Sequence, residues 1–191
     1  KVGAEMRFGD WLDFWYQNCS KSALRHTTQL NYENWISLHA IPGVGNIPLN
    51  KLSQSDLQQF FTELKKGGRI NNVERHGAGM ADRSVRSCHA VCQMALDRAV
   101  KEGLIRTNPA IGCKLPPLRE KEMKILTKEE IRRFLIQAKV EGMYELFLLE
   151  LTTGMRRGEL LALQWTDLDF KTGRLRISRQ VYSVNGRLEV N

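Results

Sequence analysis

Residues 152–170 read TTGMRRGELLALQWTDLDF, an apolar run that opens with two adjacent arginines behind a glycine. On a helix Arg156 shares a stripe with Leu160 and Leu163, and Arg157 shares one with Leu161 and Leu168. An arginine on the core-facing side of such a helix needs a compensating anion, from the protein or from a ligand. A guanidinium after a tight Thr153-Gly154 turn is suited to phosphate. It offers two parallel donors and a permanent charge beside the unpaired N–H groups of a helix start. Glu159, three residues on, is spaced to hold that side chain. The same pair fits a structural ion bridge equally well, and local chemistry does not choose between the two.

Other reactive constellations are absent from the sequence. No Ser/His/Asp or Cys/His arrangement offers a nucleophile with its base. The cysteines are Cys19, Cys88, Cys92 and Cys113, with no Cys-x-x-Cys pair. Cys88 and Cys92 stand one helical turn apart and read as small core residues, and His89 beside them is too little for a zinc site. No metal and no cofactor is expected. Nothing points to disulfides, which fits a reducing cytoplasm. The most apolar stretch, MYELFLLELTTGM, is interrupted by Glu145 and Glu150, so no membrane span is expected.

The elements that must position the arginines divide into two blocks. In the first, apolar spacing predicts helices over about residues 8–18, 24–39, 54–66 and 82–102. Pro42, Gly43 and Gly45 should end the second, and Gly67 and Gly68 the third. Ser53-Gln54-Ser55-Asp56 reads as a capping sequence. Residues 69–79 are polar and glycine-rich, as in a loop. Asn108-Pro109 closes this block, which reads as a small four-helix bundle over residues 1–112. Residues 113–126, with two prolines and alternating charge, read as a linker.

The second block, 127–191, opens on Thr127-Lys128-Glu129-Glu130, a capping box, and predicts a helix to about Lys139. A second helix follows from Met143 to about Thr152, and the arginine motif starts a third. The pattern then changes to strand-like alternation in GRLRISRQVYSV, with a hairpin turn at Asn185-Gly186. The fold class is therefore mainly α with a small β part. The net charge is +8. Residues 1–113 hold 14 basic and 10 acidic groups, and residues 114–191 hold 15 and 11. Both blocks are equally basic, which suits a polyanionic partner.

Thr153-Gly154-Met155-Arg156-Arg157-Gly158-Glu159-Leu160, followed by Leu163, Trp165, Asp167 and Asp169, resembles the first arginine box of the tyrosine recombinases, the phage-integrase family. The bundle, with Ala99-Val100 through Asn108-Pro109, is similar to that family's core-binding domain. The resemblance implies a four-helix core-binding bundle followed by the helices and first β-hairpin of a mixed α/β catalytic domain. It implies site-specific recombination, the integration or excision of mobile DNA, through a 3′-phosphotyrosine without metal or nucleotide. Arg156 matches the arginine that grips the scissile phosphate, and Glu159 the acidic residue that supports it. Arg157 fills a variable slot. The partner implied is double-stranded DNA, clamped between the two domains, with four protomers on two duplexes.

The family also requires a lysine, a His-x-x-Arg box and a nucleophilic tyrosine, all expected beyond Asn191. Tyr16, Tyr32, Tyr144 and Tyr182 do not stand in the nucleophile's context, so the 191-residue segment alone is expected to be inactive. Candidate DNA contacts are Arg25, His26, Thr27 and Thr28 at one helix start and Arg83, Ser84, Arg86 and Ser87 at another. Lys114, Arg119, Lys121 and Lys124 in the linker are candidates for tracking the backbone. Lys65, Lys66 and Arg69 are weaker ones. The competing reading is a non-catalytic DNA-binding regulator built from the same domains. A chain that closes half-way through a hairpin argues for a segment of a recombinase instead.

Overall fold

A computed structural model of the chain describes residues 6–118, 122–184 and 186–190. It divides into two compact units, residues 1–120 and 121–191. The first is helical. Helix α1, Phe8–Trp15, buries Phe8, Trp11, Leu12 and Trp15, the stripe its spacing predicts, and runs on as one wider turn, Tyr16–Ser20. Helix α2, His26–Asn34, continues through a wide-turn segment, Trp35–Ala40, into a last turn, Ile41–Val44. The helical path thus passes Pro42, which was expected to end it. Proline lacks an N–H and crowds the carbonyl four residues back, and a widened turn accommodates both.

Helix α3, Gln54–Gly67, starts at the expected capping box. The Ser53 N–H donates to Asp56 Oδ2 at 2.9 Å, and the Asp56 N–H donates to Ser53 Oγ at 3.2 Å. Residues 69–79 form a loop with a single helical turn, Val73–His76. Helix α4, Asp82–Lys101, supplies Val85, Cys88, Val91, Cys92, Ala95, Leu96 and Ala99 to the core. The Trp11 indole N–H donates to the Ala95 carbonyl at 2.8 Å, tying α1 to α4. His89 is buried against the Phe61 ring, with Nε2 3.0 Å from the Ala110 carbonyl. Asn108 donates to the Gln93 carbonyl and to Asp97 Oδ1 and accepts from the Ala110 N–H. These bonds fasten the chain after α4 back onto α4.

Residues Cys113 and Leu115 pack against this same core. The Gln58 carboxamide bonds the Lys114 backbone at both its N–H and its carbonyl, and the Arg86 guanidinium donates to the Pro116 carbonyl at 3.0 Å. The start of the proline-containing stretch therefore belongs to the first unit.

In the second unit, α5, Lys128–Val140, begins at the expected Thr127/Glu130 capping box. Helix α6, Tyr144–Thr153, ends at Gly154, whose φ of 67° is a left-handed conformation that glycine adopts without steric cost. The third helix is short: α7 is Arg157–Leu161. A turn, Trp165–Asp167, follows, then two antiparallel pairs, β1 (Leu168–Asp169) with β2 (Arg174–Leu175) and β3 (Val181–Val184) with β4 (Arg187–Val190). The long alternating stretch is thus two separate strand segments. Among the described residues of this unit Ala138, Met155, Leu160 and Ala162 are the buried apolar ones. An open groove of about 470 Å³, walled by Leu146, Leu149, Leu163 and Trp165, faces solvent. No helix among the described residues is long and apolar enough to cross a membrane.

Candidate functional site

Arg156 caps α7, with extended backbone one residue before the helix. Helical spacing placed it on the core-facing side, but its side chain is 84% exposed, because the chain is not yet helical at that position. Met155 takes the buried place instead. Arg157 is also exposed. The Glu159 side chain, 19% exposed, turns back on Arg156 with both oxygens. Oε2 accepts the Arg156 backbone N–H at 2.9 Å, and Oε1 accepts Nη1 of the guanidinium at 2.9 Å. One carboxylate therefore fixes the backbone and one edge of the guanidinium, and the other donors face solvent.

The turn behind the arginine is equally specified. Thr152 Oγ1 donates to the Leu148 carbonyl, Thr153 Oγ1 donates to the Leu149 carbonyl, and the Gly154 N–H donates to the Glu150 carbonyl. On the other side, α7 lies against β3. A Cβ added to Gly158 would stand 2.5 Å from the Val181 carbonyl oxygen, a separation that requires the backbone to move.

Trp165, Asp167 and Asp169 organise the end of the motif. Asp167 accepts the Gln164 N–H at 2.8 Å and ion-pairs with Arg179, whose other amino group donates to Gln164 Oε1 at 2.7 Å. Asp169 accepts the Thr172 hydroxyl at 2.6 Å and the Lys171 N–H at 2.9 Å, closing the β1–β2 turn. Trp165 is 81% exposed and stacks on Phe170. Arg179 was not singled out in the sequence. Nothing local marks it, since its partners lie 12 and 15 residues away.

Four capping carboxylates of this unit are held below the ordinary carboxylate range. The Arg156 N–H and then its guanidinium do this for Glu159. The Gln164 N–H and then Arg179 act on Asp167, the Thr172 hydroxyl and then the Lys171 N–H on Asp169, and the Thr127 N–H and then its hydroxyl on Glu130. A carboxylate whose pKa is lower folded than unfolded adds stability above its unfolded pKa, and that stability is lost as pH falls through the folded value. The second unit is therefore expected to hold a constant thermal midpoint from neutral pH to about pH 5 and to lose stability below about pH 4. Calorimetry across that range checks this, and a midpoint that does not move in acid would contradict it.

The expected contacts of the first unit fall into two separate groups. Arg25 caps α2, and His26, Thr27 and Thr28 form its first turn. Arg83, Ser84, Arg86 and Ser87 lie in the first two turns of α4. The helices run antiparallel: the Tyr32 hydroxyl meets Met94 Sδ at 3.8 Å, whereas Leu38 lines the same groove as Ser84. The two clusters therefore sit toward opposite ends of the helix pair. Arg86 is engaged with the Pro116 carbonyl, and Ser87 Oγ donates to the Arg83 carbonyl. Lys65 ion-pairs with Asp82, and Arg69 Nε donates to the Gly79 carbonyl. Lys114 and Lys124 are exposed, while Arg119 and Lys121 lie outside the described residues. No group of three or more His, Cys, Asp or Glu side chains suited to a metal occurs among the described residues.

Residues 7–65 match the phage integrase, N-terminal SAM-like domain. A tyrosine recombinase XerC-like protein of Caldanaerobacter subterraneus is 25% identical over 190 residues, 94% of this chain and 45% of that protein. The ICEBs1 integrase of Bacillus subtilis is 32% identical over 104 residues, 52% of this chain and 28% of that protein. The fold superposes on the Tn1549 transposon integrase, solved with circular intermediate DNA, with a TM-score of 0.75 at 19% identity, covering 97% of this chain and 59% of that one. Over nearly its whole length the chain is therefore similar to tyrosine recombinases and integrases. It spans less than half the length of the curated relatives it matches.

Proposed function

We propose that the protein carrying this chain performs site-specific DNA recombination, integrating or excising mobile DNA by cutting and rejoining strands through a 3′-phosphotyrosine. The observation that carries the reading is Arg156: an exposed guanidinium braced from behind by Glu159, with its remaining donors free for a phosphate. In that role it stabilises the charge that develops on the non-bridging oxygens during transfer. Glu159 acts through it, by orientation.

The four tyrosines of the chain are not assigned as nucleophile. Tyr16 is buried and donates to Glu33, and its pKa is raised, chiefly by burial. Tyr32 packs on Trp15, Tyr144 begins α6, and the Tyr182 hydroxyl donates to Glu189 at 3.1 Å. The nucleophile, like the lysine and the His-x-x-Arg box, is assigned to other parts of the protein, so the segment alone binds DNA without cleaving it. The first unit, residues 1–112 with the start of the 113–126 stretch fastened to it, acts as the DNA-binding domain, the rest of 113–126 as connector and residues 127–191 as part of the catalytic domain. Arg25, His26, Thr27 and Thr28 take phosphates at one end of the helix pair, and Arg83, Ser84, Arg86 and Ser87 take them at the other. Lys114, Arg119, Lys121 and Lys124 take phosphates along the connector. Joining two duplexes requires four protomers, working in the cytoplasm.

Duplex binding by this chain tests the reading. About six phosphate contacts give a slope of log affinity against log salt of roughly −5. Arg83→Ala should make that slope shallower by about 1 and weaken binding to every sequence alike. A flat salt dependence would remove the DNA-binding reading.

A further inference from the structure

From the middle of α2 to the start of α4 runs a groove of about 270 Å³, walled by Asn31, Asn34 and Leu38 on one side and by Asn71, Ser84 and Arg69 on the other. Asn31, Asn34 and Leu38 follow one another at three and four residues, so they form a single stripe along α2 and its continuation. All three are exposed, and neither Asn31 nor Asn34 bonds through its carboxamide to any described residue. The Trp35 ring, with His39 packed on it at 5.5 Å, lies in the same groove.

The chemistry of this stripe differs from that of its flanks. A carboxamide carries no charge and gains little from a phosphate, which a guanidinium or a helix start serves better. It does carry a donor and an acceptor side by side, the pattern that pairs with N6 and N7 of adenine in the major groove. Residues three apart on a helix are separated by about 4.5 Å along its axis, close to the ~3.4 Å step between base pairs. An exposed leucine one turn further along is the kind of apolar contact that accepts a thymine methyl.

We propose that Asn31 and Asn34 read adenine on two neighbouring base pairs and that Leu38 contacts a thymine methyl beside them, so that this groove selects a short A·T-containing step. The inference rests on the DNA-binding reading above and adds sequence choice to it: the arginine-bearing ends hold phosphates, and the neutral stripe along α2 reads bases.

The test is selection of bound duplexes from a random pool by the 191-residue chain, followed by salt titration on the selected site. The expected result is enrichment of adjacent A·T pairs. Asn31→Ala and Asn34→Ala should each flatten the preference at one position and lower affinity for the selected site about 5- to 150-fold, with an unchanged salt slope because no charge is removed. Replacing the thymines of that step by uracil should weaken binding by the native chain and leave Leu38→Ala unaffected. Circular dichroism should show both asparagine variants folded, since neither side chain is buried. Salt-dependent binding in which both variants keep the native base preference overturns the proposal and leaves DNA binding standing. No salt-dependent binding to any duplex overturns both.

Discussion

Replacing Arg156 by alanine is expected to lower the rate of strand cleavage by the intact protein by about 10²- to 10³-fold, the loss that follows removal of one preorganised donor from a developing oxyanion. The reason is visible in the bonding. Glu159 engages the backbone N–H and Nη1 of Arg156, so the direction of the guanidinium is fixed before any ligand arrives. Fixing the donor beforehand removes the reorganisation that a free side chain would need in the transition state. Arg156→Lys should recover only part of the rate, because an ammonium supplies the charge without the planar fork. Glu159→Gln should lower the rate less than Arg156→Ala, since an amide oxygen can still accept one of the two bonds. None of the three should alter folding much: the pair is solvent-exposed on the arginine side, where solvent screening leaves an ion pair little stabilising effect. Single-turnover formation of the covalent protein–DNA adduct on a nicked site, beside the thermal midpoint, is the measurement. An Arg156→Ala protein that forms the adduct at the native rate would rule out the phosphate role and leave the pair as a structural bridge.

Gly158→Ala is expected to destabilise the second unit by about 1–3 kcal/mol, and Gly158→Val by more. Alanine is ordinarily the better helix former by about 1 kcal/mol. The sign reverses here because the added methyl meets a main-chain oxygen, Val181 O at 2.5 Å, and not the end of a flexible side chain. Either α7 or β3 must retreat. The unit has few buried apolar groups among its described residues to resist that shift. Hydrogen exchange should show faster opening of the β3 and β4 amides in both variants, with the first unit unaffected. Unchanged exchange and an unchanged midpoint would mean that α7 and β3 are not in contact in solution. The same displacement would move Arg156, whose backbone leads directly into α7, so this glycine sets where the guanidinium stands relative to the hairpin.

Much of the first unit was legible in the sequence because its signals are local. Ser53 with Asp56, like Thr127 with Glu130 in the second unit, is a helix start written in four residues, and both pairs form the reciprocal bonds expected. The stripe Phe8, Trp11, Leu12, Trp15 is buried as its period requires. Pro42 misled because a widened turn can absorb a proline, and such a turn has no short sequence signature.

In the second unit the arginine box was legible as a motif and misread as a surface. Arg156 was placed on a buried stripe by assuming helix from the glycine onward, whereas the helix begins only at Arg157 and lasts five residues. A five-residue helix has too few turns for periodicity to define a face. The sequence by itself determined that Glu159 would hold Arg156, since three residues along a helix start bring a carboxylate back to the cap. Only the tertiary structure decided that the guanidinium faces solvent, that Gly158 must lack a side chain, and that Arg179 reaches back to Asp167 and Gln164. It also decided that the two basic helix starts lie toward opposite ends of an antiparallel pair, with the uncharged stripe of Asn31, Asn34 and Leu38 facing the groove beside the start of α4. The physical reason is one of range. Caps and stripes depend on bonds within a turn or two of one segment. Close backbone approach and groove composition depend on which distant segments the hydrophobic packing brings together.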